Sequence, residues 1–372
     1  MRILFTGPGS VGHLFPMVPT AQALRAAGHD VLFAGQTPID QLHSTGLPVV
    51  EVGDGTTVNE AFSRVLEGVR FASGERTNEE TMALAARGFA EHGRVTIDGL
   101  LEVARGWRPD VIVHAPFQAA APLVAAALGI PSVVHNFGVS SEGMTGRMAG
   151  LLTGEYRAHG LEGPAEHTVL DVVPASLGGD GGGWRVRYVP HNGGGTVPAD
   201  LIGRGPRRRI AMTLGTVFAQ WEGIGALSGL IEQAGRADAE ILLALGDIDL
   251  APLGELPANV RPLPWVPLNQ LLEACDAVVH HGGSGTMMTA AALGIPQLIL
   301  PQGADHFINV AAGEAQGFAL RSSTDAVDAD LLDRLVGDDS LRKSAAAIRA
   351  EIDALPTPAE LVGNFEALLA AR

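Results

Sequence analysis

Asp110-Val-Ile-Val-His114 runs through a loop and an alanine-rich segment into Ala125-Ala-Ala-Leu-Gly-Ile-Pro131, and later Asp276-Ala-Val-Val-His280 runs in the same way into Ala290-Ala-Ala-Leu-Gly-Ile-Pro296. Each copy reads as a buried strand, a loop, a helix and a returning strand, the βαβ unit of a parallel sheet. One copy in each half predicts two doubly wound α/β sheets, with ligands at the carboxyl ends of their strands. Outward from these units, further strands are predicted at 2–6, 30–34, 48–52 and 132–136, and at 209–213, 239–244, 260–263 and 297–300. The more polar stretches 53–94 and 140–183 read as loops and helices. The run 191–209 is dense in Gly, Pro and Arg, the composition of a linker. The expected division is a first domain at 1–195, a linker at 196–208, a second domain at 209–355 and a terminal helix at 356–372.

Composition agrees with two cores. The chain has 372 residues, 46% of them hydrophobic, more than one core usually serves. Its formal net charge of -16 argues against nucleic acid, which is normally met by a basic surface. Any bound phosphate must then be held locally, by backbone N–H groups and a few side chains. The lone cysteine, Cys275, cannot form an internal disulfide and suits a reducing cytosol; in its apolar surroundings it reads as a small buried hydrophobe. The opening Met-Arg-Ile-Leu-Phe-Thr-Gly is a strand entering a glycine loop, not a signal peptide. No apolar run is long enough to span a bilayer. The expected location is cytoplasmic.

The first loop, Gly7-Pro-Gly9-Ser-Val-Gly12, fits the dinucleotide pattern G-x-G-x-x-G between a strand and a helix. That fingerprint also needs an acid at the end of the second strand. Here that strand ends Phe33-Ala34-Gly35, so a nicotinamide oxidoreductase ranks below the reading that follows. Beyond the loop stands Gly12-His13-Leu14-Phe15-Pro16. At a helix N-terminus the dipole favours the neutral imidazole that a general base needs. From the loop alone, His13 is either such a base or a residue that caps the helix. A second glycine turn follows the strand at 277–280, and a helix is expected to begin near Gly285 or Thr286. Such a turn lets backbone amides approach an anion at the positive pole of the helix.

The sequence resembles the GT-B nucleotide-sugar-dependent glycosyltransferases that decorate bacterial natural products, relatives of the plant secondary-metabolite glucosyltransferases. The resemblance covers nearly the whole chain. Its carriers are Gly12-His13-Leu14-Phe15-Pro16, Val189-Pro190, Thr213-Leu-Gly-Thr216, Trp265-Val266-Pro267, His280-His281-Gly282-Gly283-Ser284-Gly285-Thr286 and Pro301-Gln-Gly-Ala-Asp305-His306. It implies two Rossmann-like parallel-sheet domains facing a central cleft, with the terminal helix packing back on the first. It implies that His13 is the general base of an inverting transfer, next to Gly12. Trp265 would stack on the nucleotide base and Val266 backbone groups would read its edge. His280 would contact the diphosphate, and the amides of Gly282, Gly283, Ser284, Gly285 and Thr286 would hold it. Thr216 would lie near the phosphates, and Asp305 and His306 near the donor sugar. As a residue, Asp305 also reads as the N-cap of a helix starting near His306.

Preorganised donors around a departing nucleotide diphosphate stabilise the transition state more than the ground state, so no metal or other cofactor is expected. The partners implied are a dTDP- or UDP-sugar donor and a small hydrophobic acceptor, with no nucleic acid and room for a homodimer. Two departures stand out. Many relatives hold a carboxylate after the strand at 111–114, where this chain reads His114-Ala-Pro-Phe-Gln118; either Gln118 or His114 assists His13, or the acceptor is acidic enough to need less help. His306 replaces a common Gln, in keeping with a deoxysugar. Phe62, Phe71, Met82, Phe89, Phe137, Met144 and Met148 suit an apolar polycyclic acceptor, and each also reads as ordinary core. Two other readings share parts of this pattern: a nucleotide-sugar epimerase of the same fold, and a non-catalytic auxiliary partner of a transferase.

Overall fold

In the computed structural model of the chain, residues 1–66, 76–139, 143–179, 182–213, 224–246, 248–303 and 305–370 are described. The chain divides into two units, Met1–Gly193 with Ala354–Arg372, and Gly194–Asp353.

The first unit holds a sheet of seven strands: β1 (Arg2–Gly7), β2 (Asp30–Gly35), β3 (Val49–Glu51), β4 (Val111–His114), β5 (Ser132–His135), β6 (His167–Asp171) and β7 (Trp184–Arg185), in the order β3-β2-β1-β4-β5-β6-β7. The second holds β8 (Arg209–Thr213), β9 (Glu240–Leu243), β10 (Val260–Pro262), β11 (Ala277–His280), β12 (Gln297–Ile299) and β13 (Ala319–Arg321), in the order β10-β9-β8-β11-β12-β13. Every pairing is parallel. The central strands are therefore covered on both faces, and Ile3, Leu4, Phe5, Val111, Ile112 and Val113 are fully buried. Each order reverses at one place, between β1 and β4 and between β8 and β11. At such a switch point the outgoing loops diverge and leave a crevice at the carboxyl ends of the strands.

The repeated sequence has a repeated structure. Asp110 accepts the Arg2 amide at 2.7 Å and returns its own amide to the Arg2 carbonyl at 2.8 Å. Asp276 makes the same exchange with Arg209, at 3.0 and 2.8 Å. The aspartate thus ties the start of the switch strand to the start of its neighbour, at the end away from the ligand rim. The helix Ala120–Leu128 stops at Gly129, φ 64°, where the Ile130 amide reaches back to the Ala125 carbonyl at 3.1 Å. The helix Ser284–Leu293 stops at Gly294, φ 69°, with Ile295 bonded to Ala290 at 2.9 Å. Both are the glycine-terminated ending in which a left-handed residue closes the last turn.

Three strands fall where the sequence predicts none. β6 begins with the polar pair His167-Thr168, and the two residues of β7 follow a glycine-rich stretch. The three residues of β13, at the sheet edge, are too few to show a period. The segment around 196–208 contains the 3-10 turn Ala199–Leu201, whose Leu201 is buried beside Ala211, Leu242 and Leu271 of the second unit. Cys275 is buried in the same cluster.

Candidate active site

The rim of the first sheet carries His13. It lies in the short helix Val11–Leu14, which continues through a 3-10 turn into the helix Val18–Ala26. The half-buried imidazole is boxed by three phenylalanines from three other elements. Phe89 comes from the helix Asn78–Arg94, Phe117 from the loop after β4 and Phe137 from the loop after β5. The ring centroids stand 5.2, 5.3 and 5.1 Å away, two of them edge-on. Phe62 extends the box by meeting Phe89 at 5.0 Å. Met144 and Met148 belong to the same buried cluster, with Met82 packed against it. Gly12 is exposed beside His13.

The dinucleotide-like loop is already filled by the protein itself. A Cβ on Gly9 would collide with the carbonyl oxygens of Gln36 and Thr37, just past β2. The second glycine of the pattern therefore admits a neighbouring loop. At the end of β2, where an acid would hold a ribose, stands buried Gln36.

The two candidate helpers of His13 have other bonds. Gln118 donates to Thr6 Oγ1 at 3.3 Å and accepts the Ala120 amide at 3.2 Å. His114 turns Nδ1 to the Ala115 carbonyl at 3.0 Å, and burial pushes its pKa down to about 4.

In the second sheet the loop after β11 forms the glycine turn. Gly282 has φ 100°, a conformation left to glycine, and a Cβ there would stand 2.9 Å from Ile299 and 3.0 Å from His306. A Cβ on Gly283 would meet His281 Nε2 at 2.6 Å. Gly283 caps the helix Ser284–Leu293 in extended conformation. The first turn of that helix is Ser284, Gly285 and Thr286, at the positive pole that binds anions.

His280, assigned above to the diphosphate, is placed otherwise. It is fully buried; Nε2 bonds Gln297 Oε1 at 2.8 Å, and Nδ1 accepts the Gly282 amide at 3.1 Å. With both ring nitrogens committed, it has no N–H left for a phosphate oxygen. His281 is the histidine that remains at the turn. Its ring meets that of His306 edge-on at 4.8 Å. Burial first, then His306 and His280, hold its pKa well below the ordinary value. Burial likewise lowers His306 against the pull of Asp305. The histidines at the turn are therefore neutral near pH 7, and the positive potential there is that of the N–H dipoles at the helix start.

Asp305 bonds two neighbouring elements. It occupies the N-cap position of the helix His306–Ala315 but makes no side-chain cap bond there. Its Oδ2 accepts from Ser284 Oγ at 2.9 Å and from Asn309 Nδ2 at 3.0 Å, and Asn309 also donates to the Gly282 carbonyl at 2.7 Å. Asp305 and Asn309 thus clamp the glycine turn to the next helix. Trp265 stands in a loop at 50% exposure, its indole N–H on the Gly194 carbonyl at 3.3 Å, while Val266 is buried beneath. An exposed indole on an ordered loop is a platform for a flat ring. Thr216, like Phe71, lies outside the described residues.

Sequence reasoning missed Gln297 and Asn309. Each is a polar residue inside an apolar run, Ile-Pro-Gln-Leu-Ile-Leu and Phe-Ile-Asn-Val-Ala-Ala. That is the available sign of a buried hydrogen-bonding group.

Comparison with known proteins bears on the same elements. The domains described as Erythromycin biosynthesis protein CIII-like match this chain at residues 22–215 for the N-terminal and 228–368 for the C-terminal domain. The Elloramycin glycosyltransferase ElmGT of Streptomyces olivaceus is 38% identical, over 98% of this chain and 97% of its own length. The crystal structure of the glycosyltransferase SnogD from Streptomyces nogalater superposes with a TM-score of 0.86 at 38% identity, covering 99% of both chains. SsfS6, a glycosyltransferase of Streptomyces sp. SF2575 solved with thymidine diphosphate, gives a TM-score of 0.87 at 30% identity, again over 99% of both chains. Two parallel Rossmann-like sheets, a glycine turn at one switch point and these likenesses agree: the chain belongs to the EryCIII-like family of bacterial natural-product glycosyltransferases, of GT-B fold.

Proposed function

We propose that this glycosyltransferase takes a sugar, a deoxysugar by the His306 departure, from a thymidine diphosphate donor and transfers it with inversion to a small hydrophobic natural-product acceptor, His13 acting as base. The observation that carries the reading is that each unit holds its own part of the chemistry at the rim of its sheet: an imidazole boxed by Phe89, Phe117 and Phe137 in the first, and a glycine turn opening a helix in the second. The solved relative with thymidine diphosphate supports the choice of nucleotide.

In this reading the acceptor lies against the phenylalanine box with its nucleophile at the imidazole. His13 takes the proton as the nucleophile attacks the anomeric carbon from the face opposite the diphosphate. The departing diphosphate gains charge at Gly283, Ser284, Gly285 and Thr286, whose amides are already oriented and need little reorganisation. His281 takes the place first given to His280 as the side chain at the phosphates. Trp265 stacks on the base. The donors at the turn serve without a metal ion, so a chelator leaves turnover unchanged.

The test is direct. His13→Ala and His13→Gln are assayed with donor and acceptor, and nucleotide affinity is titrated in parallel. Turnover should fall by about 10²-fold or more, with affinity for thymidine diphosphate kept. Near-normal turnover in both variants removes His13 as the base. Thymidine diphosphate that fails to raise the melting temperature removes the donor assignment.

A further inference from the structure

The two copies of the repeated unit end in the same residue and use it in opposite ways. At the end of β4, His114 bonds a carbonyl through Nδ1, so Nδ1 carries its proton. At the end of β11, His280 Nδ1 accepts the Gly282 amide at 3.1 Å, so the proton sits on Nε2 and is given to Gln297 Oε1 at 2.8 Å. Gln297 is oriented in turn by donating to the Met287 carbonyl at 3.2 Å. The relay joins β11, β12 and the helix Ser284–Leu293, and both of its side chains are fully buried. It consumes the Gly282 amide, while Asn309 consumes the Gly282 carbonyl at 2.7 Å. Gripped at both ends, that peptide cannot turn over.

We propose that His280 and Gln297 are positioning residues for the diphosphate turn: Gln297 fixes His280 as the Nε2–H tautomer, and His280 draws the Gly282 amide inward so that the amides after it face the ligand. The inference rests on the reading of this turn as the diphosphate site. His280 touches no phosphate in it; its part is to fix which amides do. An imidazolium at 280 would set Nδ1–H against the Gly282 N–H, donor against donor, and would turn the peptide. Burial holds the His280 pKa down, at about 4, with the Gln297 bond opposing and His306 adding to the fall. The titratable groups around it are His281, 6.4 Å away between ring centroids, and His306, next to Asp305. β8 and β12 bring neutral Thr213 and Gln297, and the helix Ser284–Leu293 brings no ionisable side chain.

Gln297→Glu tests the relay. A carboxylate still accepts from Nε2–H but favours the imidazolium, so the variant gains a protonation where the native protein has none. Thymidine diphosphate is titrated by calorimetry into both proteins at pH 8 and pH 6. The variant's affinity relative to the native protein should fall about tenfold or more between the two. A ratio equal at both pH values overturns the proposal. Should the variant not fold, ¹⁵N spectra of histidine-labelled native protein decide: His280 should show a protonated Nε2 and a bare Nδ1, unmoved by added nucleotide. A protonated Nδ1, or a ring nitrogen that shifts as a phosphate donor does, overturns it equally. Native protein that binds no thymidine diphosphate defeats the donor reading instead, and the unliganded spectrum still judges the tautomer.

Discussion

Lowering the pH from 7.5 to 5 should strip stability from the first unit through three histidines. His92, His114 and His135 are at most 1% exposed, and burial is the leading cause that pushes each pKa down to about 4. His135 shows why protonation is resisted: Nε2 lies 2.9 Å from Thr20 Oγ1 and Nδ1 2.8 Å from the Asn136 carbonyl, and a neutral ring suits both. The folded pKa lies below the unfolded value of 6.5, so between the two the unfolded chain binds more protons. Stability is therefore complete above 6.5 and falls as the pH drops toward 4. At pH 5 each group removes about 2 kcal/mol, the three together about 6 kcal/mol. That is a large part of a typical margin of about 5–15 kcal/mol. Carboxylates with lowered pKa, such as Asp54 and Glu60, start from ordinary values of 3.8 and 4.5 and lose their contribution only below those values. At pH 5 the effect is therefore mainly that of histidine. Urea unfolding at the two pH values should show a midpoint lower by roughly 2 M, with m about 2–3 kcal/mol/M. His135→Gln should flatten the difference by about 2 kcal/mol. Equal midpoints at pH 7.5 and pH 5 would refute the reasoning.

Other substitutions probe single contacts. Gly282→Ala should weaken thymidine diphosphate binding and lower stability by about 1–3 kcal/mol, because it combines a φ of 100° with a Cβ 2.9 Å from Ile299; calorimetry and thermal melts read both. Gly88→Ala, inside the helix Asn78–Arg94, would ordinarily gain about 1 kcal/mol of helix propensity. Here the Cβ strikes the Phe62 ring, so a net loss of about 1–3 kcal/mol is expected, and a stabilised variant would contradict the packing. Trp265→Ala, at a half-exposed loop position, should leave the melting temperature nearly unchanged while nucleotide affinity drops by about 1–3 kcal/mol. A variant with native affinity would mean that the indole does not meet the base.

The parts of the fold that rest on strong local chemistry were legible in the sequence. Strands such as β4, β8 and β11 are continuous apolar runs, and Gly129 and Gly294 mark helix ends by a conformation few other residues adopt. β6, β7 and β13 were not: β6 opens on a polar pair, and two or three residues at a sheet edge are too few to show a pattern of their own. In the candidate site, the motifs located the glycine turn and His13. They could not apportion the two adjacent histidines, since only the fold decides that His280 points into the interior toward Gln297 and His281 does not. Nor could they show that Gly9 serves a neighbouring carbonyl. A motif states which residues are small; packing states what the space is for.

The first unit is discontinuous: Ala354–Arg372 completes it after the whole second unit has intervened. Phe365 is buried with its ring 5.0 Å from Trp184, the Arg187 amide bonds the Pro356 carbonyl at 2.7 Å, and Glu366 lies 3.4 Å from His29. On the ribosome, the first unit can therefore complete its packing only after the segment that follows the second unit has emerged, while the second unit can close ahead of it. A fragment cut at Gly193 would carry a bare hydrophobic socket, and supplying the tail as a separate peptide should heal it.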